Sequence, residues 1–243
     1  MAVICDGMGG LDKGELASAE VIRAFDIWFK ENAEAVIPSY DIENVESSWL
    51  RLLKGENLRL MEYSTANGLE MGTTFTGMII LGDDLLIVHV GDSRIYHISN
   101  SLSKSDIYVA PEMRISAEVR QLTEDHTFVA REVRRGNMTP DEAKSDPRRN
   151  LLLQCVGASD HVSPQIIREK AEPGIYLLCS DGFRHEISES EMADFFNPRF
   201  ISGKEDLQNR AWNALETVKD RGETDNISVI LIGREEERQR AKY

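Results

Sequence analysis

The spacing of apolar residues along the chain changes period, and the changes mark out its elements. Val21, Ile22, Phe25, Trp28 and Phe29 recur at helical spacing, predicting a helix from about Gly14 to Asn32. Val45, Trp49, Leu52, Leu53 and Leu60 predict a second over roughly residues 43–66. The period then shortens. Phe75 to Leu81, a Gly82-Asp83-Asp84 turn and Leu85 to Val90 predict a hairpin of central strands, followed by a strand through Ile95–Ile98. Residues 99–118 are polar and irregular, as in an extended hairpin or surface insertion. Phe128, Val129, Glu132 and Val133 predict a helix closed by Gly136, and Thr139-Pro140 has the look of a further helix start. Strands are expected at residues 2–5, Leu151–Val156, Gln165–Ile167, Ile175–Cys179 and Ile227–Ile232. Ser188 with Glu191 forms a capping-box pattern, and Leu207, Ala211, Leu215 and Val218 mark a long helix stopped by Gly222. The tail from Arg234 reads as a solvated helix end. Strands in hairpins with helices in separate groups predict an α+β layered domain rather than a βαβ sheet.

Composition narrows the function classes. A formal net charge of -14 argues against a nucleic-acid partner, which needs a basic face. No apolar stretch is long enough to cross a bilayer, and the opening residues turn acidic too soon for a secretory signal. Cys5, Cys155 and Cys179 each lie inside an apolar run, a pattern of reduced thiols rather than of a disulfide or zinc framework. The expectation is a cytoplasmic protein with no membrane partner. Without a Pro/Gly/Ser-rich linker, residues 1–243 read as a single domain.

Short signatures punctuate this pattern: Asp6-Gly7-Met8-Gly9-Gly10, Met71-Gly72-Thr73-Thr74, Gly91-Asp92-Ser93-Arg94, Thr123-Glu124-Asp125-His126, Ser180-Asp181-Gly182 and Asp225-Asn226. Most sit where an apolar run stops, so strands would deliver carboxylates to loops. Oxygen ligands without Cys or His suit Mg²⁺ or Mn²⁺ and not zinc. Taken singly, Asp-Gly is a common turn signal and Gly-Asp-Ser-Arg an ordinary loop. The glycine loop lacks the Gly-Lys-Ser/Thr of a nucleotide P-loop. Joint occurrence in this order, over nearly the whole chain, resembles the metal-dependent protein serine/threonine phosphatases, the type 2C or PPM family.

The resemblance implies a four-layer α-β-β-α sandwich of two antiparallel sheets flanked by helices. It also implies hydrolysis of phosphoserine and phosphothreonine in proteins by a metal-bridging water, opposing a serine/threonine kinase. Two Mn²⁺ or Mg²⁺ ions are implied: Asp6 bridges them, the Gly7 carbonyl completes one, and Asp181 and Asp225 hold the other. Asp125 would join Asp181 at a third, weaker position. Asp92 and Asn226 would orient ligands or close turns. Met8 stands where eukaryotic relatives carry a His, which points to the bacterial branch. Residues 126–157 correspond to a flap beside the active site, where Arg148 and Arg149 belong to an arginine cluster suited to docking a phosphoprotein. For any single Arg there, a solvated basic surface is the simpler reading. Among the histidines, His89 reads as a satisfied core residue, and His97, His161 and His185 as surface or loop positions. His126 is open to either a ligand-orienting or a structural role.

The family normally begins with a strand carrying a phosphate-gripping Arg and an acidic residue that reaches the second metal. This chain starts five residues before Asp6. The expectation is weakened substrate binding, and an open edge on the strand at 2–5 that invites dimerisation. The alternative to an active phosphatase is a catalytically impaired pseudophosphatase acting as a metal- or partner-binding module.

Overall fold

The computed structural model describes residues 1–8, 13–39, 41–100 and 117–235. Gly9, Gly10, most of the insertion expected at 99–118 and the tail beyond residue 235 lie outside them. In chain order the elements are β1 (Ala2–Ile4), α1 (Gly14–Ser39), α2 (Ile42–Asn67), β2 (Phe75–Leu81), β3 (Asp84–Val90), β4 (Arg94–Ser99) and β5 (Glu118–Gln121). They continue with α3 (Phe128–Arg134), α4 (Pro140–Ser145), β6 (Gln165–Lys170), β7 (Gly174–Cys179), α5 (Asp181–His185), α6 (Glu189–Phe195), α7 (Lys204–Asp220) and β8 (Val229–Arg234). The chain is α+β, with two four-stranded sheets ordered β1-β2-β3-β6 and β5-β4-β7-β8. Among the described residues no helix is long and apolar enough to cross a membrane.

The chain divides into two compact units: residues 1–94 with 123–171, and residues 95–122 with 172–243. In the first, β2 and β3 form the expected hairpin, turning through Gly82 at φ +58° with Leu81 opposite Asp84. β1 adds antiparallel to β2, and β6 to β3. α1 and α2 cover this sheet because their apolar stripes hold the largest side chains. Phe25 stacks on Phe75 at 4.4 Å between ring centres, and Trp49 meets Phe25 edge-on at 5.5 Å. In the second unit, Phe183, Met192, Phe196, Ala214 and Val218 pack against Tyr96, Ile98, Leu177 and Cys179 of the sheet.

Local signals set several boundaries. Asp41 caps α2, Gly68 ends it at φ +63°, and complete capping boxes open α4 (Thr139 with Glu142) and α6 (Ser188 with Glu191). Four expectations are corrected. α1 continues past Asn32 to Ser39, through the good helix formers Ala33, Glu34 and Ala35. Ile22 is 41% exposed, because the inward stripe is Val21, Phe25 and Trp28 and Ile22 sits about 100° round the helix from it. Leu151–Val156 is not a strand. Its backbone groups are used singly: Leu152 bridges Thr127, Leu153 donates to His126 O and Val156 pairs with Thr73. Finally, His97 is buried, not superficial, since β4 lies between β5 and β7. Its ring stacks on Tyr176 at 4.6 Å, and its Nε2 lies 3.2 Å from the Pro173 carbonyl.

Candidate metal centre

In the first unit, Asp6 follows the end of β1 and its peptide is clamped on both sides. Its N–H donates to Thr74 Oγ1 at 2.9 Å, and its carbonyl accepts from Thr74 N at 2.8 Å and Thr73 Oγ1 at 2.9 Å. Thr74 Oγ1 also contacts Ser93 Oγ at 2.9 Å, and Thr73 is buried. The Met-Gly-Thr-Thr signature thus works as a backbone brace for Asp6, a role its spacing did not disclose. Gly7 is required by close approach: a Cβ there would lie 2.3 Å from the Gly14 carbonyl oxygen. Gly14 is equally constrained, its added Cβ falling 2.6 Å from Met8 O, so the start of α1 meets this loop backbone to backbone.

Asp92, 8% exposed, lies in the turn between β3 and β4. Asp125 is held by Arg94, whose Nε and Nη2 donate to its two oxygens at 2.8 and 2.7 Å. Beside it, His126 Nδ1 faces two donors, Gly91 N at 3.2 Å and Gln154 Nε2 at 2.9 Å. That arrangement requires a neutral ring with its proton on Nε2, and burial pushes the His126 pKa down accordingly. His126 is therefore fixed as part of the scaffold.

The helical hairpin expected at 126–157 is present as α3 and α4. Arg148 lies 4.1 Å over the Phe128 ring and donates from Nε and Nη2 to Asp146 at 3.0 and 2.8 Å. Its side chain remains 53% exposed. Arg149 is exposed, and its side chain makes no ion pair among the described residues.

In the second unit, Asp181 opens α5 directly after β7. Ser180 ties this point to the loop before β8: its Oγ donates to Asn226 O at 3.1 Å and accepts from Ser228 N at 3.0 Å. Gly182 is pressed on the same loop, where an added Cβ would lie 2.6 Å from Asn226 O and 3.4 Å from the Asp225 Cβ. Asp181 and Asp225 are therefore neighbours although far apart in sequence. Asn226 contributes through its backbone, donating to Asp225 Oδ1 at 2.7 Å. Two residues given no chemical role by the sequence also enter. Glu223 accepts from the N–H groups of Thr224 and Asp225, and His185 lies between Glu223 and Asp181. The Asp225 amide, with Thr224 and His185, holds the Glu223 pKa below the ordinary carboxylate value.

Among the described residues, no group of three or more His, Cys, Asp or Glu side chains is gathered as a metal cluster within either unit. The fit to a divalent ion rests on one atom. Asp181 Oδ1 is buried and has no hydrogen-bond partner. A buried carboxylate oxygen left so is costly unless a cation or water meets it. The Asp225–Asn226 segment packs on Gly182, the residue after Asp181, and carboxylate oxygens are donors that suit a hard ion.

Comparison with known proteins follows the same lines. The family described as Protein phosphatase 2C matches residues 1–215. The chain is 30% identical over 240 residues to the serine/threonine phosphatase stp of Listeria welshimeri, covering 96% of this chain and 84% of that protein. The crystal structure of serine/threonine phosphatase Stp1 from Staphylococcus aureus is similar at a TM-score of 0.80 and 28% identity, over 96% of this chain and 83% of that one. The catalytic domain of the serine/threonine protein phosphatase PstP, solved in complex with two manganese ions, matches at a TM-score of 0.68 and 27% identity, over 94% and 85% of the two chains.

Proposed function

The chain belongs to the protein phosphatase 2C family, whose members are metal-dependent phosphatases, and we infer from this that it hydrolyses phosphoserine and phosphothreonine in proteins. The observation that carries the reading is the buried, unpartnered Oδ1 of Asp181, with the Asp225–Asn226 segment packed on the adjacent Gly182. The ligand groups in this reading are Asp6, the Gly7 carbonyl, Asp181 and Asp225. The ions are two, Mn²⁺ or Mg²⁺. Such ions make a coordinated water acidic and offset charge on the transferring phosphoryl group.

The chain's own residues supply orientation. Thr73 and Thr74 fix the Asp6 peptide, and Ser180 and Gly182 fix the loop that carries Asp225 and Asn226. A third ion at Asp125 would share that carboxylate with Arg94. The 126–157 flap would dock the phosphoprotein through Arg148 and Arg149, with Phe128 and Asp146 setting the plane of the Arg148 guanidinium.

A single domain over 1–243 is supported by a family match that runs through both units. A serine/threonine kinase would supply the substrates. The cytoplasmic reading leans on three cysteines that form no disulfide, and dimerisation would use the outer edge of β1, which pairs with β2 alone among the described strands. The pseudophosphatase alternative is disfavoured by the retained Asp6, Asp181 and Asp225.

The test is Mn²⁺-dependent hydrolysis of p-nitrophenyl phosphate and a phosphothreonine peptide by the wild type and Asp181→Asn. Activity in the wild type that falls at least about 100-fold in the variant supports the reading. A folded wild type that hydrolyses neither substrate with Mn²⁺ or Mg²⁺ sinks it in favour of the pseudophosphatase.

A further inference from the structure

Glu223 lies two positions before Asp225 and is bound to it through the backbone. Its Oε1 accepts from the N–H groups of Thr224 at 2.7 Å and Asp225 at 2.8 Å. Its Oε2 stands 3.3 Å from Nδ1 of His185, and the Glu223 side chain is only 10% exposed. His185 is the last residue of α5, and its Nε2 is 3.9 Å from Oδ2 of Asp181, the first. The circuit closes through Gly182, whose backbone touches the Asp225–Asn226 segment.

Each contact restricts a different freedom. An acceptor shared by two successive N–H groups sets the backbone of residues 223–225, and so the direction in which the Asp225 side chain leaves the chain. A ring standing near Oδ2 of Asp181 leaves the other oxygen, Oδ1, for a ligand. That is the oxygen without a partner. A simple turn-stabilising carboxylate would need neither the His185 contact nor burial.

We propose that Glu223 and His185 are positioning residues that jointly hold Asp181 and Asp225 in the orientation a divalent cation requires. The proposal rests on the metal-dependent reading above and adds two residues to it. Partners that orient metal ligands are typically worth about 10- to 100-fold in metal affinity.

The test is calorimetric titration of Mn²⁺ into the metal-free full chain, with near-ultraviolet circular dichroism as the control for folding. Glu223→Ala is expected to weaken Mn²⁺ binding about 10- to 100-fold, and His185→Ala about 10-fold. Glu223→Gln keeps an oxygen able to accept both N–H groups and should stay within about threefold of wild type. This rescue separates orientation from charge. Wild-type affinity in folded Glu223→Ala, or a Glu223→Gln loss as large as that of Ala, overturns the proposal. Should Glu223→Ala not fold, wild-type affinity in His185→Ala overturns it equally. A wild type that binds no Mn²⁺ removes the metal-dependent reading itself, an outcome distinct from variants that match a binding wild type.

Discussion

His89 should make the stability of this protein depend on pH in a predictable direction. It lies in β3 at 0% exposure, with Nδ1 2.9 Å from Thr76 Oγ1 and Nε2 3.1 Å from the Glu124 carbonyl. A carbonyl only accepts, so the single proton of the neutral ring belongs on Nε2. Burial, reinforced by His126 with its ring 4.9 Å away, pushes the pKa from the ordinary 6.5 to about 3, against a smaller opposing effect of Asp125. The unfolded chain therefore binds a proton below pH 6.5 that the folded chain refuses until about pH 3. Stability is fully present above 6.5 and is lost as pH falls through that window. Between pH 7 and pH 5 the loss from this one group is about 2 kcal/mol.

Urea unfolding at the two pH values, on wild type and His89→Gln, measures it. The variant carries no titrating ring there, so the wild type should lose about 2 kcal/mol more than the variant between pH 7 and 5. The comparison cancels His97, the buried histidine that His89 does not influence. Equal losses in both proteins would refute the assignment of a neutral, buried His89.

Two further substitutions probe the scaffold of the site. Gly182→Ala places a Cβ 2.6 Å from the Asn226 carbonyl oxygen and should cost about 1–3 kcal/mol in urea unfolding. An unchanged midpoint would mean the loop moves aside freely. Arg94→Ala leaves Asp125, 9% exposed, without its two-pronged ion pair and should cost about 1–3 kcal/mol. A double-mutant cycle with Asp125→Asn checks that the loss belongs to the pair, and a coupling below about 0.5 kcal/mol would show it does not.

What could be read from the chain was what neighbouring residues decide among themselves. Thr139 with Glu142 and Ser188 with Glu191 cap helices through contacts three residues apart, so their patterns translated directly into structure. The Gly82 turn fixed the β2–β3 hairpin in the same way. The carboxylates stood out as candidate ligands too, because most sit where an apolar run stops and their order repeats that of a family. Tertiary packing decided the rest. Nothing local distinguishes Leu151–Val156 from a strand, since a strand exists only if a neighbouring backbone runs alongside it. His97 looked superficial until β5 and β7 closed over β4. Glu223 and His185 stand 38 positions apart in sequence (223 minus 185) and meet only because β7 and β8 pair. Side-chain type and spacing set which groups are available, whereas long-range backbone pairing sets which of them share a place.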